Sequence, residues 1–142
     1  MPQIRDIVRR NAGQIVSVEI ATPYEDMKHS TDLKIVVKAG DIAVRVRRAD
    51  KKFRDLTIRA FKEGYRTELD KLRDGFARWY LYAWEDESSQ LADWVLVDID
   101  IMRAAGLLAE TRRVIMNKDG KTGFVAYNLQ ELAAIDAIVA AS

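Results

Sequence analysis

At 142 residues, 49% hydrophobic and 32% charged, the chain has the size and composition of one folded domain and is not a disordered one. Its 23 Lys and Arg against 22 Asp and Glu leave a net charge of +1, so a nucleic-acid site would have to be a local patch. Having no cysteine excludes disulfides, thiolate nucleophiles and Cys-based zinc sites, and a lone histidine, His29, argues against a His-rich metal centre or a Ser-His-Asp triad.

The N-terminus, MPQIRDIVRRNAG, is amphipathic and charged, without the apolar segment of a secretory leader. No stretch approaches the roughly 20 apolar residues that span a bilayer, and a cytoplasmic protein is expected. Ile4, Ile7 and Val8 recur at helical spacing, with Pro2 well placed at the start and Gly13 as a stop. Val16, Val18 and Ile20 alternate with Ser17 and Glu19, which predicts a strand. The polar segment PYEDMKHSTD reads as a loop. Two further strands follow around Ala39-Gly40-Asp41, read as a hairpin turn. Leu33, Ile35 and Val37 oppose Asp32, Lys34 and Lys38 in the first, and Ile42, Val44 and Val46 oppose Arg45 and Arg47 in the second. Leu56 and Ile58 against Asp55, Thr57 and Arg59 repeat the same logic, so the three strands predict an antiparallel meander, apolar on one face and charged or hydroxylic on the other.

Thr67 is a good N-cap with Asp70 at the capping-box position, and Leu69, Leu72, Phe76 and Tyr80 give a helical core stripe, so a long helix is predicted over about Glu68 to Trp84. WVLVDIDI reads as a buried strand, MRAAGLL as a helical turn ending near Gly106, and RRVIM and FVAYN as the arms of a hairpin. Asn128, with Glu131 completing a capping box, opens a final helix whose apolar side is Leu129, Leu132, Ala133, Ile135 and Ile138. No repeat or linker interrupts the chain, so a single α+β domain is expected, with a mixed, mainly antiparallel sheet and flanking helices.

Chemistry concentrates on the charged strand face. Alternate residues on one strand are about 7 Å apart and adjacent strands about 4.8 Å apart, so Arg45, Arg47 and Arg59 fit one patch. Arginines this close repel unless an anion or carboxylates join them; the patch with Thr57 is either a phosphate-binding site or a solvated face of cross-strand ion pairs with Asp32 and Asp55. Glu25, Asp26, His29 and Asp32 form an acidic loop, to which Glu19 could add; oxygen ligands of this kind suit Mg²⁺, and a charged surface loop is the alternative. Glu68 and Lys71 share a helix face and could serve the arginine patch or merely pair with each other. Asp98 and Asp100 read as ion-pair partners or strand-end residues. Trp79, Tyr80, Tyr82 and Trp84 read as core and partner surface, with base stacking as the other reading.

The segments STDLKIVV, DIAVRVRR, RDLTIRAF, TELDKLRDGFARWYLYAW and WVLVDIDIMRAAGL give an order of elements that resembles the αβββαβ restriction-endonuclease-like core of the PD-(D/E)XK nuclease superfamily, and the chain looks similar to small proteins of bacteriophages and prophages. The resemblance implies a Mg²⁺-dependent endo- or exodeoxyribonuclease or resolvase-like protein acting on DNA in a host cytoplasm. Asp32 matches the acid at the start of the second core strand. The next strand reads Ala43-Val44-Arg45-Val46-Arg47, without the superfamily's acid and with arginine in place of its lysine. Under the resemblance Asp32, Arg45, Arg47 and Lys71 are the catalytic set, Asp26, Asp32 and Glu68 hold the metal, and Arg45, Arg47, Arg59 and Thr57 bind phosphate. Alternatively catalysis has been lost, and the chain is a nuclease-like module that docks a nucleic acid, a protein partner or a second copy of itself.

Overall fold

The computed structural model describes residues 2–10, 16–20, 33–37, 41–50, 54–109 and 111–142. It is α+β, and the chain divides into two compact units, Met1–Ala39 and Gly40–Ser142. In the first unit, α1 (Pro2–Arg10) buries Ile4 and Ile7, and β1 (Val16–Ile20) pairs antiparallel with β2 (Leu33–Val37). The acidic loop bearing Glu25, Asp26, His29 and Asp32 lies outside the described residues, as does Lys38.

The second unit holds two sheets. β3 (Ile42–Arg47) runs parallel to β5 (Trp79–Glu85), which pairs antiparallel with β6 (Leu91–Asp98), and β6 with β9 (Ile138–Ala141). β4 (Leu56–Lys62) pairs antiparallel with β8 (Thr122–Tyr127), whose other neighbour is β7 (Ile115–Met116). The expected meander is therefore not what forms. β2 pairs with β1, and β3 and β4 belong to different sheets. Alternation specifies a half-buried strand but not its partner, and short connections made neighbouring strands look paired.

One core gathers side chains of both sheets: Leu56 and Ile58 from β4, Val125 and Tyr127 from β8, Tyr80, Tyr82 and Trp84 from β5, Val95 and Val97 from β6. Leu69 and Leu72 of α2 (Glu68–Arg73), Met102 of α3 (Ile99–Ala104) and Leu132 of α4 (Leu129–Ala134) complete it. These helices are each six residues long and owe their stability to that burial, because a helix so short is marginal alone.

The long helix over Glu68–Trp84 is the largest correction. Thr67 caps α2 as expected: its hydroxyl accepts from the Asp70 amide and the Asp70 carboxylate accepts from the Thr67 amide. Arg73 then ends the helix, Gly75 turns back at φ +86°, and WYLYAWE runs on as β5. Aromatic residues buried on both strand faces outweigh a helical spacing that ran across Gly75. Phe76, expected in the core, is 56% exposed.

WVLVDIDI divides in the same way. Asp98 ends β6 and caps α3, accepting from the amides of Asp100 and Ile101, and pairs with Arg78 at 3.2 Å. Asp100 pairs with Arg78 and with Arg103, so both aspartates are ion-pair partners at a strand end. Asn128 caps α4 through the Glu131 amide. The Glu131 carboxylate joins Arg112 in a two-pronged pair at 2.6 and 2.7 Å. The helix stops at Ala134, and Ile138 belongs to β9, a strand that the apolar periodicity had absorbed into the helix.

Candidate functional site

β3 orients its arginines by register. Arg45 lies opposite Tyr82 and Arg47 opposite Trp84, so both share the face of β5 that carries Tyr80, Tyr82 and Trp84. This inverts the expected facing of the strand: Ala43 packs against the core, whereas Val44 is 41% exposed. Arginine tolerates the position because its aliphatic stem can lie along apolar surface while the guanidinium reaches polar partners.

Two hydrogen-bonded nodes result. In the first, Glu68 on the first turn of α2 accepts from the Tyr80 hydroxyl at 2.6 Å through one oxygen and from Arg45 Nη1 at 3.1 Å through the other, which also receives the Arg59 amide at 3.4 Å. One carboxylate thus ties α2 to β3, β4 and β5. Burial, with the Glu68 carboxylate beside it, drives the Tyr80 hydroxyl far above its ordinary pKa, and it stays a donor.

In the second node Arg47 Nη1 donates to Thr57 Oγ1 at 2.7 Å and to Tyr82 Oη at 3.3 Å, and the two hydroxyls are 2.9 Å apart. One hydroxyl proton satisfies the other oxygen. Either hydroxyl can donate to the other; when the buried Tyr82 donates, the proton of Thr57, which lines the cleft, is left for an incoming group. The two tyrosine rings stack with centroids 5.9 Å apart, which sets the nodes side by side.

Two adjoining cavities open at these nodes. One, of about 440 Å³, is lined by Arg45, Arg59, Lys62, Arg66, Lys71 and Glu68, with Tyr65, Thr67 and Phe76. The other, of about 330 Å³, is lined by Arg45, Arg47, Arg48, Arg59 and Thr57, with Val46, Asn117, Gly123 and Phe124. They share Arg45 and Arg59, and between them carry seven basic side chains and one carboxylate. Arg45 pairs with Glu68, and Arg66 with Asp74. Lys71 and Arg48 form no ion pair with another described residue.

No family model, curated protein or solved structure matches the chain.

Of the residues singled out in the sequence, the structure brings Arg45, Arg47, Thr57, Arg59, Glu68 and Lys71 to this cleft. Asp26 and Asp32 lie outside the described residues, so Glu68 is the described member of the expected metal set. Both its oxygens are engaged by protein donors, and among the described residues no three carboxylate or imidazole groups converge. These residues alone do not fit a divalent cation. Sequence reasoning missed Tyr80 and Tyr82 as the groups that hold the site. In a helix, residues two apart point to different faces, and only in a strand do the two hydroxyls share one. Arg48, Lys62 and Arg66 were legible as charges but not as cleft residues.

Proposed function

We propose that this chain binds the phosphodiester backbone of nucleic acid along the basic cleft. The observation that carries the reading is charge segregation. A chain with a net charge of +1 sets seven basic side chains against one carboxylate across two adjoining cavities. Such a concentration attracts a polyanion, and arginine forks with a neighbouring hydroxyl donor suit phosphate oxygens. Arg45 and Arg59, common to both cavities, would contact the backbone where it passes from one to the other. Arg47, Thr57 and Lys71 would hold flanking phosphates.

The sequence's resemblance to PD-(D/E)XK nucleases implies the same class of ligand, but the meander and long helix that carried it do not form, so the reading rests on the cleft alone. Asp26 and Asp32, which the resemblance names as metal ligands, lie outside the described residues, so the reading is one of binding and includes no hydrolytic step. The test is titration of labelled oligonucleotides across a salt series. Binding should weaken steeply as salt rises, and Arg59→Ala should make the slope of log K against log salt shallower by about 0.7 to 0.9. Salt-independent binding, or an Arg45→Ala/Arg59→Ala variant that binds like the parent, would refute the reading. Running the mixtures on a gel with Mg²⁺ or Mn²⁺ adds a second readout, in which cleaved product would restore the nuclease assignment.

A further inference from the structure

Resting on that reading, we infer that the ligand is single-stranded and that its unpaired bases stack on Tyr65 and Phe76. Tyr65 is 67% exposed and Phe76 56%, and both line the cavity that holds Arg45, Arg59, Lys62, Arg66 and Lys71. Among the described aromatics Trp79, Tyr80, Tyr82, Trp84 and Tyr127 are buried; Phe61, at 41%, is also exposed but does not line this cavity, and Tyr65 and Phe76 are the most open. Two open rings therefore sit beside a cluster of cations, the combination that binds single strands: charge follows the backbone and aromatic faces take the bases.

The backbone that carries each ring is anchored. Gly64, at φ +73°, makes the turn into Tyr65, whose amide donates to the Lys62 carbonyl at 3.1 Å. The Lys62 ammonium stands 4.3 Å from the Tyr65 ring centroid. Gly75 makes the turn into Phe76, whose amide donates to the Lys71 carbonyl at 2.9 Å. Each ring thus follows a left-handed glycine and is tied by its backbone to a cleft lysine, so the backbone that presents it needs little ordering when a base arrives. A duplex hides its base faces and cannot use them.

Single-stranded DNA, single-stranded RNA and duplex DNA of about 15 nucleotides are titrated against the full chain at one fixed salt concentration. We expect one or both single strands to bind more tightly than duplex. Tyr65→Ala and Phe76→Ala should each lower single-strand affinity by roughly 5- to 100-fold and leave duplex affinity unchanged. Phe76→Trp should retain affinity, and its new exposed indole should be quenched by the single strand. Duplex affinity equal to or above that of both single strands overturns the inference, and so does unchanged single-strand affinity in both alanine variants. Those results leave backbone binding standing if Arg45→Ala/Arg59→Ala still abolishes it. Loss of the parent reading shows instead as failure of the arginine variant to change binding to any of the three.

Discussion

Glu68 is the residue on which the cleft balances. It is about one-third exposed and is the one carboxylate among seven cations. It neutralises Arg45, receives the Tyr80 hydroxyl, and would repel any phosphate drawn in by the remaining charge. Glu68→Gln keeps an acceptor for Tyr80 and removes the negative charge. Oligonucleotide affinity should rise by roughly 3- to 10-fold at low salt, with the gain shrinking as salt screens the cleft. A fall in affinity would mean that Glu68 contributes by positioning Arg45 more than it costs in repulsion. That Glu68 could serve the arginine patch was one of two sequence readings, beside a surface pair with Lys71; what was legible was the start of α2, which Thr67 fixes through local hydrogen bonds to Asp70. The tyrosines beneath it were not, because their shared face depends on β5 being a strand.

At the scale of elements, the boundary between α2 and β5 decides how the site is built. Leu69 and Leu72 are buried as a helical stripe predicts, but extending the stripe to Phe76 and Tyr80 carries it across Gly75. A glycine at φ +86° is the position where the chain turns from helix toward strand. A Cβ built at Gly75 meets nothing within 4 Å, so the cost of substitution there is conformational and not steric. Gly75→Ala should lower stability by about 1 to 2 kcal/mol, read as a shift in the urea midpoint at unchanged slope. It should also displace Phe76 and weaken single-strand binding more than duplex binding. Local signals were readable where they were self-contained: the caps at Thr67 and Asn128, the hairpin of β7 and β8, and the ion pairs of Asp98 and Asp100. Each depends on residues close in sequence or on a charge that burial obliges to pair.

Across the whole molecule, what could not be read was which strand meets which. The pairing of β3 with β5 spans β4 and α2, and that of β4 with β8 spans most of the second unit; neither leaves a trace in alternation. Those long-range pairings bury the tyrosines and give the fold a distinctive response to alkali. Burial, with Glu68 beside it, holds the Tyr80 hydroxyl far above its ordinary value of 10.0, and burial pushes Tyr127 up to about 12, against a smaller opposing pull from Arg112. In the unfolded chain both release their protons near 10, so above that pH the unfolded state binds fewer protons and stability falls as pH rises. The stabilisation is complete below 10 and, for Tyr127, is lost progressively up to about 12. Each group contributes a slope of at most about 1.4 kcal/mol per pH unit. Urea midpoints measured from pH 8 upward should be flat at first and then drop. In the folded state the phenolate absorbance of Tyr80 should be missing, and that of Tyr127 should appear only as the pH approaches about 12. Tyr127 Oη donates to the Leu107 carbonyl at 2.7 Å, so Tyr127→Phe should lower neutral-pH stability by about 1 kcal/mol while making the alkaline decline shallower. A variant with an unchanged alkaline slope would place the lost protons elsewhere and remove Tyr127 from the explanation.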